Sequence, residues 1–480
     1  MLERSDFLSK YSHILITSPI QSATLSRISQ YAWEHSIPLF YIHSVGFYSQ
    51  FSVQLPPQYP IVDTHPDPTS TQDLRLLSPW PELSAFVAEK CDNLDTLSDH
   101  DHGHVPYLLL LLHYLEKWKA SHDGRYPENY KQKTAFRELV KSGARTNNPE
   151  GGEENFDEAV SAVLKSLNPP SLSNATREVL STEESKTPTT QVRIPPPNIN
   201  PQTHLPQLTP PLPQSPNFWV IAHAINLFHQ THALPPLPGS VPDMKAQSSD
   251  YIRLQNIYKT KARHDHSDIL HIVRAAEHRL GRKTPIDEKE IDAFCKNAAS
   301  VKLIHGRRLP IADATLQWDP DSAKALLAGL HEPESSAPIA IAFLAYDRFH
   351  DEHGRPSGLD GASDGADASA HPDRDALTTH ARDILRSLQS AAQSVPVDDS
   401  SSTSSSTPAP LPEPLANALH ELLRARGGEL HNISALTGGM VAQEVIKVVT
   451  KQYVPVAGGC VFDGVASRSM IVWGGLSDKR

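Results

Sequence analysis

The chain has little cysteine. Its 480 residues include three cysteines, Cys91, Cys295 and Cys460, which lie far apart and without the spacing of metal ligands. This scarcity excludes a disulfide framework and indicates a reducing compartment.

A thiol that carries a transferred group should be accessible and activated by positive charge or by a helix N-terminus. Cys295 lies on an apolar helix face beside Phe294, and Cys460 lies in a β-like run, so we expect both to be core residues. Cys91 lies between Lys90 and Asp92 in polar surroundings, and nothing nearby marks it as a nucleophile. We therefore predict no catalytic residue among the cysteines.

Long hydrophobic runs are also absent. The longest leucine run, Leu108–Leu112, is far shorter than the about 20 apolar residues that cross a bilayer. Met1–Lys10 is mixed and charged, so we expect no signal peptide. These features predict a soluble protein of the cytoplasm or the nucleus, without a membrane partner.

The chain lacks an excess of basic residues. It contains 44 Lys and Arg against 55 Asp and Glu, which gives a net charge of −11. Nucleic-acid binding needs a clustered basic face, and the sequence has none, so we expect no nucleic-acid partner. Gly438-Gly439 and Gly458-Gly459 are pairs without the lysine and Ser/Thr of a P-loop. We therefore expect this chain to bind no nucleotide cofactor by itself.

Histidine, in contrast, is common, with 25 residues in the chain. His100, His102 and His104 could ligate zinc, and so could a second set. The second set is His264, His266 and His271. Neither set shows the paired spacing of a structural zinc site or has cysteine nearby. We interpret them as a solvated loop and a solvated helix face, and we predict no metal site.

The first part of the chain alternates strands with a helix. His13–Thr17, Ile37–Ile42 and Phe51–Leu55 read as strands, and Thr24–Glu34 reads as a helix. This alternation predicts a parallel α/β sheet. A Gly-x-Gly-x-x-Gly loop normally follows the first strand of a nucleotide-binding fold, but none is present here. Residues 1–85 are therefore interpreted as the second half of a Rossmann-like domain.

A helix and a hairpin close the chain. Apolar side chains recur every three or four residues in Glu429–Lys451, which predicts one buried helix face. Gly438 and Gly439 each cost about 1 kcal/mol relative to alanine in a helix, and we expect another backbone to approach them closely. Cys460–Phe462 and Met470–Trp473 predict an antiparallel pair of strands.

Between these regions, residues 86–410 have a helical composition. Val105–Lys119, Phe218–Phe228 and Ile339–Phe349 are apolar at nearly every position, which is typical of helices inside a large helical body. Three segments rich in proline, glycine or serine are predicted to be disordered loops. They are residues 187–216, 358–375 and 394–414.

Motifs along the whole chain carry a family resemblance. Glu429–Lys451 and the hairpin after it resemble the closing segment of the adenylation domain in the activating enzymes of ubiquitin-like modifiers. Within that family, the sequence is most similar to the regulatory, non-catalytic subunits of the neddylation-activating enzyme, the amyloid precursor protein-binding protein type. Further motifs with this resemblance are Gly46–Phe51, Thr64–Asp67, Asp73–Leu76, Pro79–Leu83, Asn155–Val160, Asn217–Val220, Val241–Met244, Tyr251–Tyr258 and Asp347–His350.

The resemblance implies the fold class. It is α/β plus a large all-α insertion, that is, an incomplete Rossmann-like adenylation domain of the ThiF/MoeB type with a helical insert. Residues 1–85 and 411–480 would form the adenylation-like domain, and the family's N-terminal part would be lacking. Residues 86–410 would be the helical insertion, at the place where the catalytic subunit carries its thioester cysteine domain.

The resemblance also implies a partner. The chain would form a heterodimer with a homologous catalytic subunit, about a pseudo-twofold axis. That subunit would bind ATP and Mg, carry the ubiquitin-like modifier as a thioester and pass it to a conjugating enzyme. The resemblance places a partner contact on Val241, Pro242, Asp243, Met244, Tyr251 and Ile252. A helix-entry turn without any partner is the simpler interpretation of these residues.

Two other functions stay open at this point. One is the non-catalytic subunit of the sumoylation-activating enzyme, although that subunit has a shorter helical insert. The other is an independent helical scaffold. Co-purification with a catalytic activating subunit would distinguish the three.

Overall fold

The structure is a computed structural model that describes residues 8–17, 19–66, 73–146, 152–167, 172–188, 216–311, 318–359, 371–393 and 410–473. The chain divides into two compact units. Unit 1 consists of Met1–Ile61 and Leu303–Arg480, and unit 2 consists of Val62–Lys302. Each unit is therefore described by itself.

The elements follow in chain order. Unit 1 begins with β1 (Ile14–Ile16), α1 (Ser22–Glu34), β2 (Leu39–Val45), β3 (Tyr48–Gln54) and β4 (Tyr59–Val62). Unit 2 contains α2 (Pro81–Cys91), α3 (Asp99–His102), α4 (Tyr107–Ser121), α5 (Tyr130–Lys141), α6 (Glu154–Ser166), α7 (Asn174–Ser181), α8 (Glu183–Lys186), α9 (Asn217–His232), α10 (Ser248–Arg279) and α11 (Glu288–Lys296). The chain returns to unit 1 within β5 (Val301–Ile304) and continues with α12 (Pro320–Gly329), α13 (Ala337–His353), α14 (Asp373–Ala392), α15 (Glu413–Ala425), α16 (His431–Thr450), β6 (Gly458–Asp463) and β7 (Arg468–Trp473).

Unit 1 is built on a five-stranded mixed sheet in the order β1-β2-β3-β6-β7. The predicted parallel pairing holds for β1 and β2, where Leu15 lies opposite Phe40. The other three pairs are antiparallel, so the prediction of a parallel sheet is wrong for them. The reason is the connection between β2 and β3, which is the two-residue turn Gly46-Phe47 with Gly46 at φ +58°. A parallel crossover needs a dozen or more residues. The predicted closing hairpin is confirmed as β6 and β7.

Helices cover both faces of this sheet. On one face, α1 packs on Leu39 and Tyr41, and α12–α15 pack on residues of β2, β6 and β7. On the other face, Val441 and Val448 of α16 pack on Phe40 and Phe51. The fold class is therefore mixed α/β with many helices and a small sheet.

Unit 2 is helical and has its own core. Its centre is α4, whose residues Leu108–Leu111 are fully buried among side chains of α2, α5, α6 and α10. The predicted burial of the three all-apolar segments is confirmed for α4, α9 and α13.

The boundaries of the two units differ from the predicted domain boundaries. The sequence places residues 86–410 in one helical insertion, but α12, α13 and α14 lie in unit 1. They share a core with the strand residues Val45, Val461 and Trp473. A helix that is apolar all round can be buried against a sheet as well as among helices, so the pattern alone did not assign α13 to a unit.

The ends of two predicted disordered loops are ordered. Asp373 starts α14, accepts the backbone N–H of Gly358 at 2.8 Å and binds Arg355. Glu413 starts α15. Most of the three predicted loops lies outside the described residues. The parts concerned are residues 189–215, 360–370 and 394–409. Among the helices that the structure describes, none combines the length and apolarity needed to cross a membrane.

Candidate partner-binding surface

The segment Val241–Met244 joins α9 to α10 in unit 2. Val241 and Met244 are half-buried and pack against the core of this unit. Asp243 is exposed, and its carboxylate accepts the backbone N–H of Met244 at 3.1 Å. The apolar side chains of the segment therefore contribute to the core of unit 2, and Asp243 is the one of these four residues that is exposed.

The backbone after this segment is fixed to α6 and α3. The N–H of Lys245 donates to both carboxylate oxygens of Glu158, at 3.2 and 3.0 Å. The side-chain amide of Gln247 donates to Asp101 at 2.6 Å, and its backbone N–H donates to the carbonyl of His104 at 3.2 Å. These contacts tie the backbone after the segment to two neighbouring helices of unit 2.

The N-terminal part of α10 presents one exposed apolar side chain. Ile252 is 55 % exposed, whereas Tyr251 is half-buried. Arg253 donates to both oxygens of Glu89 at 2.5 and 2.6 Å, and its guanidinium lies 4.3 Å from the ring centre of Phe86. Of the six predicted contact residues, Asp243 and Ile252 are thus the most exposed, and Pro242 is half-buried.

The rim of this surface is acidic. Burial raises the pKa of Glu158, the N–H of Lys245 lowers it in part, and Glu154 and Asp243 raise it further. Lys245 offsets part of this negative charge, since its Nζ lies 3.3 Å from a carboxylate oxygen of Glu154.

All three thiols are buried. Burial raises the pKa of Cys91 to about 12, of Cys295 to about 12 and of Cys460 to about 11. The expectation of polar surroundings for Cys91 is wrong, because this side chain is 1 % exposed and packs in the core of unit 2. An activated thiol has a lowered pKa and is accessible, so none of the three has the properties of a nucleophile.

One histidine of the first set, His102, is part of the protein core. His102 is buried, its Nδ1 lies 2.7 Å from Oε1 of the buried Glu153, and its ring stacks on Phe156. The expectation of a solvated loop is therefore wrong for His102, although His100 is exposed. In the part of the chain that the structure describes, no group of three or more His, Cys, Asp or Glu side chains is arranged to hold a metal ion.

The two glycine pairs differ in their surroundings. A Cβ on Gly459 would collide with the indole of Trp473, so this glycine permits the packing of β6 against β7. Gly438 and Gly439 have no heavy atom within 4 Å of an added Cβ. The close approach of another backbone that the sequence predicts is thus absent within the described residues.

Unit 1 contains a small cavity between its sheet and its helices. Its lining includes Tyr41, Gln50, Ser52, Asp347 and Trp473, and no Lys or Arg. Nucleotide phosphates are usually neutralised by cationic side chains or held by a glycine-rich turn. The chemistry of this cavity does not fit a nucleotide.

Comparison with known proteins gives relatives that match nearly the whole chain. The NEDD8-activating enzyme E1 regulatory subunit of Danio rerio is 29 % identical over 472 residues, which are 97 % of this chain and 77 % of that protein. The subunit of the same name from Xenopus laevis is 29 % identical over 93 % of this chain and 74 % of its own length. The NEDD8-activating enzyme E1 regulatory subunit AXR1 of Arabidopsis thaliana is 28 % identical over 97 % of this chain and 76 % of its own length. No protein-family model matches the chain. The resemblance found in the sequence is confirmed by these relatives.

Proposed function

We propose, from its homology with the NEDD8-activating enzyme E1 regulatory subunits, that this chain is the regulatory subunit of a heterodimeric activating enzyme for a ubiquitin-like modifier of the NEDD8 type. It pairs with a catalytic subunit, which adenylates the modifier with ATP and carries it as a thioester before transfer to the conjugating enzyme. The observation that carries this proposal is the similarity over 97 % of the chain to a named regulatory subunit.

The three thiols support a non-catalytic role. A thioester-forming cysteine needs an accessible thiolate, whereas burial raises the pKa of Cys91, Cys295 and Cys460 to about 12, 12 and 11. The catalytic cysteine then belongs to the partner. This chain supplies surface and shape.

The sheet of unit 1 is, in this proposal, the incomplete Rossmann-like adenylation domain of the ThiF/MoeB type. The mixed sheet with helices on both faces supports it. In this proposal ATP and Mg bind the catalytic subunit, and the lining of the unit 1 cavity, which includes no Lys or Arg, is consistent with that assignment. The net charge of −11 supports the absence of a nucleic-acid partner. The complex works in the cytoplasm or the nucleus.

A thioester assay tests the proposal. The catalytic subunit is mixed with ATP, Mg²⁺ and labelled NEDD8, with and without this chain, and the modifier attached to the catalytic subunit is measured on a gel without reductant. We expect the thioester to form at a much higher rate when this chain is present. A rate that does not depend on the chain, or a reductant-sensitive band on the chain itself, would contradict the proposal. Replacing the catalytic subunit by that of the sumoylation-activating enzyme is the matched control, and it should give no thioester.

A further inference from the structure

Three buried polar atoms around the cavity of unit 1 have no hydrogen-bond partner among the described residues. They are Oε1 of Gln50 on β3, Oδ1 of Asp347 on α13 and Nε1 of Trp473 on β7. All three residues line the cavity between the sheet and the helices of this unit. A polar atom that leaves water on folding and finds no partner destabilises the fold, so the great majority of such atoms in proteins are paired.

The register of the sheet brings the indole of Trp473 to this cavity. Tyr41, Ser52, Gly459 and Trp473 lie opposite one another in a row across β2, β3, β6 and β7. A Cβ on Gly459 would collide with Nε1 of Trp473. The N–H end of the indole therefore lies over β6, which is the strand between β7 and β3. Gly459 thus permits an edge strand to present its indole N–H over the inner part of the sheet.

Gln54 shows how a buried glutamine is paired in the same layer. Its Oε1 accepts the hydroxyl of Ser29 at 2.6 Å and the N–H of Leu309 at 3.1 Å, and its Nε2 donates to the carbonyl of Ser29 at 2.9 Å. Gln50 lies four residues earlier on β3, so its side chain is on the same side of the sheet. It is 3 % exposed, but its Oε1 faces the cavity instead of a protein donor.

Asp347 brings a carboxylate to the same cavity. The hydroxyl of Tyr41 donates to this carboxylate, and it stays protonated because burial, Asp347 and Asp351 raise the pKa of Tyr41 well above its ordinary value. Nδ1 of His43 lies 3.3 Å from Oδ1 of Asp347 without the geometry of a hydrogen bond. Within the part of the chain that the structure describes, Oδ1 therefore still lacks a donor.

The chemistry of the three atoms selects water. Gln50 and Asp347 each offer an acceptor and Trp473 offers a donor, whereas a water molecule donates twice and accepts as well. A metal cation would meet the N–H of Trp473, and an anion would meet the carboxylate of Asp347, so neither fits. The size agrees. The space open to the centre of a water molecule is about 10 Å³, and one buried water needs about 10 to 15 Å³.

We propose that one water molecule is bound in this cavity, where it accepts the N–H of Trp473 and donates to Oε1 of Gln50 and Oδ1 of Asp347. It joins the edge strand β7, the central strand β3 and the helix α13, which are far apart in the sequence. The inference goes beyond the proposed function and does not depend on the catalytic subunit.

A crystal structure of the full chain that shows ordered water tests the site directly. We expect one water peak within about 2.7 to 3.2 Å of each of the three atoms. An empty cavity, a protein side chain in this position or a bound ion would overturn the inference.

Nuclear magnetic resonance of the chain labelled with nitrogen-15 tryptophan tests the site in solution. The chain has six tryptophans, and Trp473→Phe identifies the indole signal of Trp473 by its loss. We expect a nuclear Overhauser effect between this N–H and a long-lived water. Its absence in the wild type would contradict the inference, whatever the variants do.

A matched pair of variants then tests the position of the water. Ser52→Thr adds one methyl group, which is about as large as a water molecule, to a side chain that lines the cavity. This variant should fold and lose the Overhauser effect. Ser469→Thr makes the same change at an exposed residue of β7 and should keep the effect. An effect that persists unchanged in folded Ser52→Thr would place the water elsewhere and overturn the assignment.

Discussion

At the scale of single residues, histidines end helices in a recurring arrangement. Within the described residues, α1, α4, α9 and α13 each end with a histidine whose ring stacks on the aromatic side chain four positions earlier. The pairs are Tyr31–His35, Trp118–His122, Phe228–His232 and Phe349–His353. In each, Nδ1 lies within 2.9 to 3.1 Å of the carbonyl oxygen of the aromatic residue. The residue after each histidine has φ between 52° and 65°.

This arrangement satisfies a carbonyl that the end of a helix leaves without a partner. The Nδ1–H donates to the carbonyl, the ring covers the aromatic face, and the following left-handed residue turns the chain away. The spacing of four residues between an aromatic side chain and a histidine is a helix-end signal that can be read directly from the sequence.

Removing one of these histidines should destabilise its helix end. We expect His353→Ala to lower the free energy of unfolding by about 1 kcal/mol, because a hydrogen bond and an aromatic contact are lost together. Urea denaturation of both proteins measures the difference. The control is His264→Ala, at an exposed position in the middle of α10, which should change the value by less than about 0.5 kcal/mol. Equal losses in the two variants would contradict a capping role.

The buried thiols predict slow alkylation. At pH 8, a thiol with a pKa of about 12 is ionised to a fraction of about 10⁻⁴, against about 10⁻¹ for the ordinary value of 9. We expect the folded chain to react with iodoacetamide at least a hundredfold more slowly than the urea-unfolded chain, in which all three cysteines react. Mass spectrometry gives the number of labels against time. Rapid labelling of any one cysteine in the folded state would contradict the structural assignment.

The raised pKa values of the buried thiols also predict how the stability of the fold changes at high pH. The pKa of each thiol is higher in the folded state than in the unfolded state, where it is near 9. The unfolded state therefore loses protons first as the pH rises. The stability that these thiols contribute is complete below about pH 9 and decreases above it.

At the scale of elements, the sequence predicts most helices and strands but not how they pair. The apolar rhythm of Glu429–Lys451 correctly predicts the helix α16, and the alternating runs after it correctly predict β6 and β7. The predicted buried face is wrong for Leu436 and Val449, which are 46 % and 56 % exposed. The parallel sheet is wrong, since strand direction depends on the turn Gly46-Phe47, and a period of two is the same in both directions. The exposure of Gly439 could not be predicted either, because the sequence does not say which backbone approaches a helical glycine.

The link between α13 and α14 is a bidentate ion pair. Arg355 donates to the two oxygens of Asp373 at 2.7 and 2.9 Å, and Asp373 is 6 % exposed. Asp373→Asn should lower the free energy of unfolding by about 2 kcal/mol, because a guanidinium loses its partner in a partly buried site. Asp383→Asn, which breaks the exposed pair with Arg386, is the control and should cost less than about 0.5 kcal/mol.

The pH dependence of this pair has a defined sign. Arg355 holds the pKa of Asp373 below its ordinary value of 3.8. The stabilisation is therefore complete above about pH 4 and is lost as the pH falls through the lowered pKa. Denaturation curves at pH 7 and pH 3 should show a smaller gap between wild type and Asp373→Asn at pH 3. A gap that widens on acidification would contradict the ion pair.

At the scale of the whole molecule, the two units differ in how the chain builds them. Unit 2 is one continuous stretch, whereas unit 1 combines both ends of the chain. The two ends of unit 2 are in contact. Nζ of Lys302 lies 3.0 Å from a carboxylate oxygen of Asp63, and the N–H of Asp63 donates to the carbonyl of Ser300 at 3.2 Å. A continuous segment with its own core and adjacent ends has the properties of an independently folding domain.

We therefore expect residues 62–302 to fold when expressed alone, with the helical circular dichroism that α2–α11 require and a cooperative thermal transition. A shorter fragment of residues 73–296, which lacks both Asp63 and Lys302, is the control and should melt at a lower temperature because its ends are not joined. The folded fragment also tests the predicted partner contact, because it contains Val241–Ile252 and lacks the sheet of unit 1. Binding of the catalytic subunit by the fragment with the affinity of the full chain would place the main contact on unit 2, which contains Val241–Ile252. An unfolded fragment would show that unit 2 needs unit 1 to fold.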